Sequence, residues 1–225
     1  RTGTVVCLCQ GSDRSLVANI GAALKCEKSF VEEVLNEFTT SPKFYYIEGF
    51  FIPEKMDICR MLYDKYSQDS DTLLITNLNA PYIVKTYQKD VTWMVMNADI
   101  VFGNRDEFEE LATINGFESM DELFTHLFST YAKGTRQKIV VVTDGANDVI
   151  FYKGDANGIE SDSVNVPIVD KKEIIDTTGA GDSFVAGFIF ELIRGKDIRE
   201  CIEFGVTISS EVIRTIGCNL KKRSN

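Results

Sequence analysis

Ile174-Ile175-Asp176-Thr177-Thr178-Gly179-Ala180-Gly181-Asp182-Ser183-Phe184 is the stretch from which the architecture of this chain follows. It reads as a strand ending at Ile174-Ile175 and a helix beginning at Ala180. Phe184, Val185, Phe188, Ile189, Leu192 and Ile193 recur at helical spacing, and Gly195 is a natural stop. The first N–H groups of a helix have no intrahelical partner and lie at the positive end of its dipole. Glycines in that turn therefore offer donors to an anion, phosphate above all. Asp182 follows one turn in, where a carboxylate beside bound phosphate can take the proton of an attacking hydroxyl. The same residues also suit a plain strand-to-helix turn, with a threonine cap and glycines for sharp geometry. The phosphate reading points to phosphoryl transfer to a small alcohol.

On either side of this stretch, strand-like and helix-like runs alternate, which favours a mainly parallel sheet covered by helices. Expected strands are Thr4–Cys9, Lys43–Ile47, Thr72–Thr76, Ile100–Phe102, Lys138–Thr143, Val149–Tyr152 and Val164–Val169. Expected helices are Ser29–Phe38, Glu54–Tyr66, Tyr82–Lys89, Asp106–Asn115, Met120–Ala132, Ala180–Arg194 and Ile198–Ile216. Asp197 with Glu200 reads as a capping box for the last of these. Asp144-Gly145 followed by Asn147-Asp148 reads as a hairpin, so the sheet is mixed at that end. Helices this apolar pack on the sheet, and the Ala180 helix is expected to start at a sheet edge or carboxyl end, where open α/β folds bind ligands.

The formal net charge of −10 argues against a nonspecific nucleic-acid binder or a basic membrane patch. A nucleotide must then be held by local devices. Cys7, Cys9, Cys26, Cys59, Cys201 and Cys218 are scattered without a CxxC pair, and His126 is the only histidine. That inventory speaks against zinc and for reduced thiols, so the expected setting is the cytoplasm. No apolar run approaches the ~18 residues of a membrane span. The short basic tail Lys221-Lys222-Arg223 reads as a solvated end, with nuclear import as the weaker alternative. The opening Arg1-Thr2-Gly3-Thr4 leads straight into a strand pattern and reads as a chain entered partway.

Three further groups invite a functional reading beside a plain one. Asn104 and Glu107, three apart at a helix start, suit either a cap with dipole-complementing acids or an outer-shell Mg²⁺ site that holds the metal through water. Arg14, in Ser12–Asn19, suits either a phosphate clamp or a solvated loop charge. Among Phe44, Tyr45, Tyr46, Phe50, Phe51 and Tyr82, most belong in the core, while one or two at strand ends can sandwich a planar ring. His126 reads as structural.

Asp176–Phe184 resembles the second signature of the ribokinase-like carbohydrate and nucleoside kinase family, and Asn104–Glu107 matches its Asn-x-x-Glu motif. Arg1–Ala23, Tyr46–Phe51, Asn77–Tyr82 and Cys201–Cys218 look more narrowly like the adenosine-phosphorylating branch, so the resemblance covers essentially the whole chain. It implies a three-layer α/β/α fold with a mostly parallel central sheet and part of a small β lid. Residues 1–25 would be the lid segment and its return, and 26–225 the main domain lacking its N-terminal part. It implies transfer of the γ-phosphoryl of ATP to the 5′-hydroxyl of adenosine by a monomer, with Mg²⁺ and a monovalent cation such as K⁺. Asp182 would be the base, and the N–H groups of Gly179, Ala180 and Gly181 the anion hole beside Thr178. Asn104 and Glu107 would order Mg²⁺ and phosphate, and Arg14 would close over the transferring group. Leu16, Ala18, Phe50 and Tyr82 would pack the nucleoside, and Asp176 with the Arg214–Gly217 turn would hold the monovalent cation. The resemblance also places the family's ribose-gripping Asn/Asp pair and Gly-Gly motif before Arg1. The expectation is an active intact gene product and a less stable or inactive isolated piece.

Overall fold

The computed structural model describes residues 1–10, 13–131 and 136–220, with the side chains of 9, 10, 13 and 14 outside the description. It divides into two units, Arg1–Cys26 with Val164–Asn225, and Glu27–Ser163. The first unit opens on strands β1 (Thr4–Gln10) and β2 (Asp13–Asn19), a separate antiparallel pair in which Val5 faces Ala18 and Cys7 faces Leu16.

The second unit runs α1 (Lys28–Glu37), β3 (Phe44–Glu48), α2 (Met56–Ser67), β4 (Leu73–Asn77), α3 (Pro81–Thr86), α4 (Gln88–Asn97), β5 (Ile100–Asn104), α5 (Arg105–Ile114), α6 (Met120–Ser129), β6 (Lys138–Thr143), β7 (Val149–Asp155) and β8 (Gly158–Val164). The last residue of β8 falls to the first unit. The six strands lie in chain order, β3 to β6 parallel and β7 antiparallel to β6. Right-handed crossovers between strands taken in order put every intervening helix on the same face. The core agrees: Ile47, Leu74, Val101, Val140 and Val142 alternate onto one face and pack with Val84, Val91, Phe108, Leu111, Phe124 and Leu127 from the helices.

At the amino end of β5, Asp99 is 1% exposed and organises three elements. It accepts the Leu74 N–H at 2.7 Å, the Tyr66 hydroxyl at 2.6 Å and the Tyr131 hydroxyl, with the Arg136 guanidinium 3.8 Å away. Burial first, and then the bond to Asp99, pushes the Tyr66 phenol above its usual range. Lys138, fully buried, donates to the carbonyls of Val95 and Ala98 at 2.6 Å each. These contacts pin β4, β5 and β6 at the end opposite their carboxyl ends.

The first unit closes with α7 (Ala180–Ile193) and α8 (Ile198–Val212). They approach closely at two glycines: a Cβ on Gly187 would lie 3.0 Å from the Gly205 Cα. Among the described residues no helix is long and apolar enough to cross a membrane.

Several expectations change. The strand expected at Val164–Val169 lies earlier, at Gly158–Val164, because Ala156-Asn157 turns the chain straight back from β7 as a second hairpin. No strand ends at Ile174-Ile175; the N–H groups of Ile175 and Asp176 both donate to the Ile213 carbonyl instead. The helix expected at Tyr82–Lys89 breaks at Tyr87, and a further helix, α4, follows. The last helix stops at Val212 rather than Ile216, since the chain must turn there to bring Gly217 to Asp176. Ala132 and the tail Lys221-Lys222-Arg223 lie outside the described residues.

Candidate active site

In the first unit, Gly179 caps α7 in the left-handed conformation (φ 75°, ψ 10°). The Ala180 N–H turns back to the Thr177 carbonyl at 3.2 Å, and the next backbone bond of the helix is Ser183 N–H to the Gly179 carbonyl. The N–H groups of Gly179, Gly181 and Asp182 therefore have no partner among the described residues. Ala180, expected as a donor to an anion, is already engaged, and the Asp182 N–H takes its place in the open set. The Thr178 hydroxyl oxygen beside them is sealed from solvent and unpartnered. The Asp182 side chain stands exposed in the first turn, turned away from the interior. An array of unserved donors, an orphaned hydroxyl and an exposed carboxylate fits a phosphate group flanked by an acid.

Asp176 holds the loop in place. One carboxylate oxygen accepts the Thr178 N–H and the other the Gly217 N–H, each at 2.9 Å. Arg214 extends the brace to Glu173 at 2.7 Å. Cys218 lies against Gly179, and a Cβ there would come within 2.9 Å of its sulfur. Gly179→Ala therefore costs about 1–2 kcal/mol for the left-handed backbone, with the Cys218 clash in addition. Gly181→Ala, whose Cβ meets nothing within 4 Å, leaves the melting temperature near that of the parent. Parallel thermal melts of the two variants check the contrast.

Leu16 and Ala18 alternate onto one face of β2, both exposed. Arg14 is in β2, opposite Cys9, with its side chain outside the description.

In the second unit, Asn104 and Glu107 form a reciprocal cap on α5. The Asn104 Oδ1 accepts the Glu107 N–H at 2.8 Å, while Glu107 accepts the Asn104 N–H at 2.8 Å and its side-chain amide at 3.0 Å. Among the described residues no three acidic, histidine or cysteine side chains gather to grip a metal directly. The carboxylate lone pairs that the cap leaves over suit contact through water, as Mg²⁺ favours.

Burial of Glu107 pushes its carboxyl above the usual glutamate range against the opposing Asn104 hydrogen bond. At low pH the group is protonated in folded and unfolded chains alike and contributes nothing. As pH rises through the ordinary glutamate value, the unfolded carboxyl ionises first, and stability falls until the folded one ionises too. Glu107→Gln should flatten that loss between acid and neutral pH in urea-unfolding midpoints.

Phe50 and Tyr82 are exposed and pair with ring centroids 6.3 Å apart, while Tyr45, Tyr46 and Phe51 are partly buried. Arg105, beside the cap, binds Asp144 at 2.7 Å and holds its carboxyl below the usual range, fixing the β6–β7 hairpin. His126 is exposed on α6 against the Phe117 ring. Sequence reasoning passed over Glu48 and Asn77, which the β3–β4 register places side by side. Their polar character at strand ends was the available signal.

A mostly parallel sheet in one unit and a donor-lined helix start in the other are each features of phosphate-handling α/β proteins. The chain belongs to the pfkB family of carbohydrate kinases, whose model matches residues 1–224. It is 31% identical over 229 residues to adenosine kinase 1 of Arabidopsis thaliana, covering 99% of this chain and 64% of the relative. Its fold is ribokinase-like and similar to that of Schistosoma mansoni adenosine kinase in complex with 2-fluoroadenosine (TM-score 0.83, 27% identity, 98% of this chain and 65% of that one). It is also similar to Anopheles gambiae adenosine kinase in complex with P1,P4-di(adenosine-5) tetraphosphate (TM-score 0.82, 26% identity, 96% and 64%). The chain thus spans just under two thirds of the length of these relatives.

Proposed function

We propose that this chain serves transfer of the γ-phosphoryl of ATP to the 5′-hydroxyl of adenosine, giving AMP and ADP. The observation that carries the reading is the set of unserved N–H groups at Gly179, Gly181 and Asp182 beside an exposed Asp182 carboxylate. The likeness to adenosine kinases over nearly the whole chain supports adenosine as the acceptor.

Phosphoryl transfer asks mainly for positioning and for stabilisation of charge. The amides of Gly179, Gly181 and Asp182 receive the phosphate oxygens, and the Thr178 hydroxyl adds a donor. Each such donor is typically worth ~3–4 kcal/mol in the transition state. An alcohol of pKa far above neutrality must lose its proton as the new bond forms, and Asp182 accepts it. Mg²⁺, when bound, neutralises charge on the transferring group. Asn104 and Glu107 would hold it through water, Asp176 keeps the Thr178 and Gly217 backbone in register and is the candidate contact for a monovalent cation, and Arg14 is assigned to closure over the phosphoryl. Leu16, Ala18, Phe50 and Tyr82 are assigned to packing the nucleoside.

Labelled ATP offered with adenosine, inosine or ribose tests this. Phosphate should pass to adenosine in preference to the others. Preference for ribose overturns the acceptor assignment, and nucleotide binding without turnover marks the chain as a binding fragment.

A further inference from the structure

Residues 174–177, which lead into the open amides of α7, belong to no helix or strand. Their support comes from a remote segment of the same unit, the end of α8 and the turn after it. The Ile213 carbonyl accepts the N–H groups of Ile175 and Asp176 at 2.8 and 3.2 Å. The Gly217 N–H closes on Asp176 at 2.9 Å, and Cys218 lies against Gly179. Arg214 adds a side-chain tie between the two segments. Its Nε donates to the Glu173 carboxylate at 2.7 Å, and a terminal nitrogen donates to the Ser210 carbonyl at 2.5 Å. The Arg214 N–H goes to the Glu211 carbonyl at 3.3 Å, which leaves the Ser210 carbonyl at the end of α8 for the guanidinium. Glu173 is itself fixed, since its N–H donates to the Asp170 carbonyl at 2.8 Å.

A planar guanidinium that donates from two of its edges holds two partners at a set angle. The pair is open to solvent, with side chains 33% and 55% exposed, and an ion pair so placed adds little to stability. Its service is geometric. Donors aimed at a phosphate act at full strength only when their positions are settled before the ligand arrives. A loop with no ladder of its own needs that position imposed from outside, and Arg214 imposes it through Glu173, just ahead of Asp176.

We propose that Arg214 is a positioning residue for the phosphate loop: by tying Glu173 to the end of α8 it fixes the approach to Asp176, and so aims the amides of Gly179, Gly181 and Asp182 at one place. The inference rests on the phosphoryl-transfer reading and goes beyond it, because neither Arg214 nor Glu173 touches the nucleotide.

The test titrates the whole chain, Arg214→Gln, Arg214→Lys, Glu173→Gln and the Arg214→Gln/Glu173→Gln double variant with ATP. It follows affinity and the Gly179, Gly181 and Asp182 amide resonances, with a thermal melt of each protein. Arg214→Gln should bind ATP about 10-fold more weakly or worse, with those three resonances displaced before ligand is added and the melting temperature near the parental one. Glu173→Gln should repeat that loss, and the double variant should bind no more weakly than either single one, since both changes cut the same tie. Arg214→Lys, which keeps the charge without the fork, should fall between Arg214→Gln and the parent. Parental affinity in Arg214→Gln, or additive losses in the double variant, overturns the positioning role and leaves the phosphate reading intact. Parental affinity in Glu173→Gln beside a loss in Arg214→Gln also overturns it, by showing Arg214 in contact with the nucleotide. A large fall in melting temperature in both single variants overturns it as well, by showing a brace for the fold alone. Parental amides that ATP leaves unmoved overturn the phosphate reading and this inference together.

Discussion

Asp182→Asn is expected to lower the rate of phosphoryl transfer from ATP to adenosine by about 10²–10⁴-fold, the usual worth of a positioned general base. The substitution preserves shape and removes only the capacity to take a proton. Asp182 makes no side-chain hydrogen bond with the described residues and is exposed, so the melting temperature should hardly move. The N–H groups of Gly179, Gly181 and residue 182 survive the change, so ATP affinity should hold while the turnover number falls. That pattern is the signature of an interaction made only in the transition state. Single-turnover transfer with labelled ATP, paired with a nucleotide-binding titration, reads both quantities. Turnover within a few-fold of the parent removes Asp182 from the mechanism.

Asp99→Ala carries the largest expected effect on folding. The carboxylate is buried and serves the Leu74 N–H and the hydroxyls of Tyr66 and Tyr131, with Arg136 nearby. Its removal strands those donors and the guanidinium charge together. Breaking a buried charge pair from one side typically costs about 3–5 kcal/mol. Against a total stability of roughly 5–15 kcal/mol, that brings the second unit close to unfolding at ordinary temperature. Tyr131→Phe deletes one hydroxyl and should cost about 1–2 kcal/mol. Urea unfolding of the two variants checks the ranking, and an Asp99→Ala loss below that of Tyr131→Phe would show that the network is slack.

The sequence was most readable where local chemistry alone shapes the chain. The α7 start needed only a left-handed glycine and an apolar period, and it lies where Gly179 and Ala180 predict. The Asn104–Glu107 spacing gives the reciprocal cap directly, and the Asp144-Gly145 hairpin follows from turn residues. Of the small antiparallel pair near the N-terminus, β1 was expected as a strand and β2 was not. Leu16, Val17 and Ala18 are all exposed, so no buried face imposes an alternation on them. β8 is an edge strand exposed over all but its last residue, and its Glu160, Asp162 and Ser163 hide it from any hydrophobic pattern. α4 was legible in Val91, Met94 and Val95 at helical spacing, but it follows α3 with only Tyr87 between them, so one run concealed the other. Asp99 gains its meaning from neighbours in other elements, which spacing along one chain does not reveal.

Under the proposed function, the open amides at the start of α7 receive the phosphates of a nucleotide. Titrating the ¹⁵N-labelled chain with ATP and following the amide resonances of Gly179, Gly181 and Asp182 tests it most directly. Those three should shift together and saturate at one affinity, while Ala180, already bonded to Thr177, moves less. ATP binding that leaves all three unmoved would contradict the assignment of this turn to phosphate.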